Sequence, residues 1–372
     1  MSDSRPAEHA PFGEALADVG AATLQSLHGL ELTFRHLHPP EIPSLREGAQ
    51  RLLEGLELAL AAFREVAPPP GAEPVQQRLG AGAEQVVEAL RGFLEEGGAE
   101  GPVAGVLRAM RLHAQAQATL YPLVQVLPPV SRFFAEPALH ENLAALEPAE
   151  RADGGPSVGI HRAAAPDGGD RERFTLYVPE WLDPGEPRPL IVALHGGSGS
   201  GRDFLWTWLR EARSRGCLLL APSSRGSTWS LQAPPLDAAQ LRAMVEYVCE
   251  NWEVDPSRVL LTGLSDGATF TLLAGLSEGA PYSHLAPVSG VLHPLHFATG
   301  NAARAQGKPI YLVHGALDWM FPISLARAAR DSLEEAGAAL VYREIENLSH
   351  TYPREENDRI LRWFDPGLAP SA

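Results

Sequence analysis

The stretch Arg258-Val259-Leu260-Leu261-Thr262-Gly263-Leu264-Ser265-Asp266-Gly267-Ala268 decides the fold. Arg258–Thr262 is a short apolar run, as a strand buried on both faces requires. The pattern then turns helical from Ala268 to Leu276. Ser265 therefore lies on a strand-to-helix turn between two glycines. Such a turn is sharp and strained, and it lifts the serine hydroxyl above the end of a sheet. Gly263 and Gly267 lack Cβ atoms, so strand and helix can approach closely around Ser265. The helix N-terminus favours negative charge developing beside it. A Gly-x-Ser-x-Gly match alone is a weak signal; its strand and helix flanks give it weight.

Similar apolar runs recur on both sides, at 189–194, 217–221, 286–292, 309–313 and 340–345, with an alternating run at 174–178. Helical patterns lie between them, at about 203–215, 236–252, 266–276 and 322–336, and a last one at about 354–364. Strand alternating with helix predicts right-handed crossovers and a doubly wound, mostly parallel sheet. Ligands then bind beyond the carboxyl ends of its strands.

Three further segments fall at those ends. A serine is a poor nucleophile without a base. His350 follows the last strand by a short loop and is the candidate base. Asp318 follows the strand at 309–313 and is the candidate acid, which would fix the base's tautomer and support its imidazolium. Taken singly, a loop aspartate is usually a cap and a loop histidine is usually solvated; the order Ser, Asp, His at successive strand ends makes them a set. Asp331 and Asp358 fall inside helical patterns, and His314 is expected to pack under the site. A tetrahedral intermediate needs two backbone N–H donors. Asp266 is expected to supply one and Gly197 the other, with Ser198 as second choice, because Leu194-His195-Gly196-Gly197 leaves the backbone open after a strand. Gly199-Ser200-Gly201 lacks both the lysine of a phosphate loop and dinucleotide-binding glycine spacing. Trp229 and Trp319 are candidate substrate-binding residues; either is equally readable as a covering residue of the fold.

Residues 1–150 have a different texture, rich in helix formers and without strand signals. Ser44-Leu45-Arg46-Glu47 reads as a capping box that opens a stripe of Leu45, Ala49, Leu52, Leu56, Leu60 and Phe63. A second stripe carries Leu79, Val86, Leu90, Phe93 and Leu94 up to Gly97-Gly98; a third starts near Pro102, and a weaker helix spans about Pro11 to Leu30. These are read as the core of a helix bundle. His36, His38 and His113 show no metal-ligand spacing. The expected organisation is a helical domain over 1–150, a linker over 151–170 and a catalytic α/β domain over 171–372.

The 372 residues suit two domains, and a 45% apolar fraction suits a packed core. The formal charge of −16 argues against nucleic acid and anionic membrane surfaces as partners. Lys308 is the single lysine. Cys217 and Cys249 read as structural thiols, not a disulfide framework. The polar start, Met1 to Pro11, has no signal pattern, and no apolar run is long enough to span a bilayer, so a cytoplasmic protein is expected. No metal or cofactor is called for, and the residues give no oligomeric state.

From about Phe174 to the C-terminus the chain resembles α/β-hydrolases of the phospholipase/carboxylesterase type, a group that includes acyl-protein thioesterases. The resemblance rests on Leu194-His195-Gly196-Gly197, Gly263-Leu264-Ser265-Asp266-Gly267, the His314–Asp318 block with Pro322 beyond it, and His350. It implies Ser265 as nucleophile, Asp318 as acid, His350 as base, and Gly197 and Asp266 as oxyanion hole. Many relatives carry glutamine where Asp266 stands, and many lack the helical domain.

These readings predict a metal-independent hydrolase of small carboxylic esters or thioesters. With no lid-sized insertion in the sheet, an open site and a preference for short acyl chains are expected; the alternative is that the N-terminal helices form a cap over the site. The alternatives are a polyester depolymerase or feruloyl-esterase-like enzyme on the same three residues, and a non-catalytic binding protein on the same fold.

Overall fold

The computed structural model describes residues 10–95, 102–148, 157–163, 172–182 and 185–368. The first nine residues, the expected Gly97-Gly98 helix stop and most of the expected linker lie outside them. The chain divides into two compact units, Met1–Phe134 and Ala135–Ala372.

The first unit is helical: α1 (Ala10–Arg35), α2 (Ile42–Arg64), α3 (Glu73–Leu94), α4 (Pro102–Leu120) and the short α5 (Pro128–Phe133). Its core holds most of the expected stripes: Leu53 rather than Leu52 is buried beside Ala49, Leu56, Leu60 and Phe63, Leu79, Val86, Leu90 and Phe93 are buried in α3, and Leu45 and Leu94 are only half-buried. The capping box does not form. A tight turn at Pro39–Glu41 runs straight into α2, which starts at Ile42 with no side-chain cap. Pro43 in the first turn lacks the N–H that a cap would satisfy, so Ser44 falls inside the helix.

The second unit begins at Ala135, before the expected boundary near 150. Ala135, Leu139 and Leu146 form a small buried cluster with Leu143 and Trp181 packed against it. Glu136 reaches the buried Arg215, taking hydrogen bonds from Nε at 2.7 Å and Nη2 at 2.6 Å. The same guanidinium binds Asp358 and so ties this segment to the C-terminal helix.

The eight strands are β1 (Gly159–Ala163), β2 (Phe174–Val178), β3 (Arg188–Leu194), β4 (Leu218–Pro222), β5 (Val254–Leu264), β6 (His284–Val288), β7 (Pro309–Gly315) and β8 (Ala339–Ile345). Their order is β1-β2-β4-β3-β5-β6-β7-β8. The first two pairings are antiparallel and the other five parallel. β1 falls inside the stretch expected as linker. Between the strands lie α6 (Gly201–Phe204), α7 (Leu209–Arg215), α8 (Pro235–Asn251), α9 (Asp266–Gly275), α10 (Leu295–Ala298) and α11 (Ile323–Glu335), with α12 (Glu356–Phe364) closing the chain. One face of the sheet shares a buried cluster with α8, α9 and α11 through Leu190, Val192, Leu261 and Leu312. Alternate residues face the other way, and there Tyr311 donates to Glu356 of α12. The fold is thus a mostly parallel, doubly wound α/β sheet preceded by a helical unit. Among the described residues, no helix is long and apolar enough to cross a membrane.

Candidate active site

Ser265 joins β5 to α9 with φ 57° and ψ −118°, a conformation L residues rarely hold. The turn survives because its surroundings fix it. Ser265 N–H donates to Val288 O on the neighbouring strand at 3.0 Å, and its own carbonyl accepts from Thr269 at 2.9 Å. Both glycines are sterically required. A Cβ on Gly263 would stand 2.6 Å from the Gly267 carbonyl, and one on Gly267 would stand 2.5 Å from the Leu194 and His195 carbonyls.

Three elements converge at that turn. His350, in the loop after β8, places Nε2 2.9 Å from Ser265 Oγ and Nδ1 2.8 Å from Asp318 Oδ2. Asp318 follows β7 and is 5% exposed. Its Oδ1 accepts from the N–H groups of Met320 and Phe321, at 3.0 and 2.8 Å. The carboxylate is thereby held on one oxygen while the other faces the histidine. The rival acids lie elsewhere: Asp331 pairs with Arg330 and Asp358 with Arg215.

The Gly197 loop after β3 is braced from below. His195 Nδ1 meets Gly196 O at 2.7 Å, and its Nε2 accepts from Ser224 N–H at 3.0 Å. A Cβ on Gly196 would lie 3.5 Å from Ser265 Cβ, and one on Gly197 would lie 2.9 Å from Asp266 Oδ2. Gly197 and Asp266 therefore flank Ser265. The Asp266 carboxylate takes a hydrogen bond from the Thr228 hydroxyl at 2.5 Å.

The two tryptophans part company. Trp229 is 2% exposed, stacks on Phe270 and donates from Nε1 to His195 O at 2.8 Å. It packs under the Gly197 loop, so its covering reading fits. Trp319 is 59% exposed, with Leu317 and Met320 exposed around it. His314 is fully buried against Asp318, with Nε2 3.3 Å from Oδ2. Burial holds its pKa below the ordinary histidine value.

Reading the residues in order missed three features. Ser198, Ser265 and Ser289 are the non-glycine residues with positive φ among the described residues, and they follow β3, β5 and β6. Backbone strain thus gathers at adjacent strand ends. Thr228 and Phe321 touch the site from loops with no motif of their own. The run expected as strand at 286–292 stops at Val288, because Ser289 turns into the left-handed region. Among the described residues, no group of three histidine, cysteine or acidic side chains is placed to hold a metal.

Residues 236–364 match the family model described as Phospholipase/Carboxylesterase. No curated protein matches the chain by sequence. Among solved structures it is similar to a thermostable esterase, with 22% identity and a TM-score of 0.46 over 55% of this chain and 61% of that one. It therefore spans less than two thirds of that esterase. An acetyl xylan esterase from Aspergillus awamori is 17% identical, TM-score 0.46, over 57% of this chain and all of its own. Zea mays acyl-protein thioesterase 2 is 18% identical, TM-score 0.40, over 53% of this chain and 99% of its own. At such identities and scores these likenesses add nothing to the assignment, which rests on the family match. The matched stretch lies within the second unit and is similar to domains of the phospholipase/carboxylesterase family.

Proposed function

We propose that the protein is a serine hydrolase that cleaves small carboxylic esters or thioesters through an acyl-enzyme on Ser265. The observation that carries this reading is the unbroken hydrogen-bonded line from Ser265 Oγ through His350 to Asp318, at 2.9 and 2.8 Å. His350 Nε2 takes the hydroxyl proton as Oγ attacks the carbonyl carbon. The tetrahedral oxyanion is received by the N–H groups of Gly197 and Asp266. Collapse expels the alcohol or thiol, protonated by the His350 imidazolium, which Asp318 supports. Water then enters with His350 as base, and the acid leaves. Every step uses groups of this chain. Trp319, exposed beside Asp318, lies where the apolar part of the ester passes in. The catalytic α/β domain works in the cytoplasm and is preceded by a helical domain.

The test is hydrolysis of p-nitrophenyl esters of increasing acyl length by wild type and Ser265→Ala. Activity is expected on short acyl chains and should be abolished by the substitution. Activity surviving in the alanine variant would sink the mechanism, and no activity on any ester or thioester would sink the enzyme reading.

A further inference from the structure

We propose that His314 is a positioning residue: it anchors Phe321, and Phe321 aims both Asp318 and His350. The inference rests on the assignment of Ser265, His350 and Asp318 above. His314 stands at the carboxyl end of β7, fully buried, four residues before Asp318. Its Nε2 lies 2.8 Å from Phe321 O and 3.3 Å from Asp318 Oδ2. Both neighbours are acceptors, so Nε2 carries the proton. Among the described residues Nδ1 is buried with no hydrogen-bond partner, which suits a bare lone pair far better than a second N–H. The ring is therefore a neutral donor of fixed tautomer.

Phe321 is the point on which this donor acts, and it holds the site three ways. Its carbonyl is gripped by His314 from the strand. Its N–H donates to Asp318 Oδ1 at 2.8 Å. Its ring meets the His350 imidazole edge to face, with centroids 5.1 Å apart. One residue thus fixes the acid from one side and the base from another. Without His314, Phe321 keeps its bond to Asp318 and its ring contact with His350 but loses its anchor to β7, and the exposed loop of Leu317, Trp319 and Met320 leads into it. A strand supplies rigidity that a loop lacks, and small misplacements of a base are costly to rate.

The groups facing the His314 ring are Asp318 from its own loop, His350 from the loop after β8, and Glu344 from β8. Burial is the dominant influence and keeps the ring uncharged, so Asp318 keeps its full charge for His350. Protonating His314 would place a cation against Asp318 and weaken that support.

The experiment compares His314→Leu, His314→Asn and His314→Gln in the full chain, with Ser265→Ala as reference. Gln reaches as far as Nε2 and restores a donor to Phe321 O; Asn is polar but too short; Leu fills the space without a donor. For p-nitrophenyl acetate, Leu and Asn are expected to lower kcat by about 30-fold or more with KM nearly unchanged, and Gln to recover most of it. In Leu and Asn the acid limb of the kcat/KM profile should move to lower pH, because the His350 imidazolium loses support from Asp318. A folded Leu variant with wild-type kcat and acid limb would overturn the proposal. Should Leu not fold, Asn against Gln decides: equal loss in both overturns it. Activity unaffected by Ser265→Ala overturns both this inference and the nucleophile assignment. A Ser265-dependent enzyme indifferent to position 314 overturns this one alone.

Discussion

Asp318 and Trp319 are adjacent in the chain, yet one is 5% exposed and the other 59%. The peptide between them divides the site into a back and a front. The back comprises Ser265, His350, Asp318, His314 and the loop under Gly197, where hydrogen bonds and strained turns fix each group. The front comprises Leu317, Trp319 and Met320, apolar side chains left in contact with solvent. Groups at the back have one permitted position each, so substitutions there should act on rate or stability. Groups at the front are constrained by little, so substitutions there should act on which ester binds.

The largest expected effect is at the back. Asp318→Asn leaves the packing nearly intact but removes the charge that supports the imidazolium. It should lower kcat by about 1,000-fold or more with little change in KM. A loss confined to KM would break the division between back and front. Next is Trp229→Ala, which removes a buried indole stacked on Phe270 and the hydrogen bond to His195 O. It should destabilise the second unit by about 3–5 kcal/mol, read in denaturant melts. A changed acyl preference at unchanged stability would move Trp229 from the back to the front.

A smaller effect comes from His296 in α10, fully buried with both ring nitrogens unpartnered among the described residues. Burial, with His293 alongside, pushes its pKa from 6.5 down to about 4. The unfolded chain therefore binds the proton first as pH falls. Stability should drop between about pH 6.5 and pH 4, by up to about 3 kcal/mol, and His296→Leu should flatten that slope. A slope unchanged in the variant would assign the acid sensitivity to other groups. Smallest is Trp319→Ala at the front. KM for aryl or longer acyl esters should rise a few-fold, about 1 kcal/mol, with kcat on acetate little altered. A large fall in kcat would place Trp319 with the back.

The same division marks what could be read from the residues in order. The parallel strands were legible because burial on both faces leaves continuous apolar runs, as in Leu190–Leu194 and Leu218–Ala221. Ser265, Asp318 and His350 stood out because each follows such a run. β1 was not legible: Gly-Ile-His-Arg-Ala is short, half exposed and flanked by Pro- and Gly-rich sequence. The end of β6 was misplaced because Ser289 turns the chain within an apolar stretch. Helix 203–215 breaks into α6, a tight turn and α7, although its residues all permit helix. Phe321 and Thr228 were invisible because their roles arise from contacts between loops far apart in sequence. The several contacts of Phe321 leave no trace in residue type.

The acyl-enzyme is the most direct object to measure. Rapid mixing of the full chain with excess p-nitrophenyl butyrate, quenched in acid, should give a burst of about one nitrophenol per chain if deacylation is slow. Mass spectrometry should then find one butyryl group on the peptide containing Ser265. No adduct in Ser265→Ala completes the expected result. An adduct on any other side chain, or turnover that persists in Ser265→Ala, would contradict the assignment of Ser265 as the nucleophile.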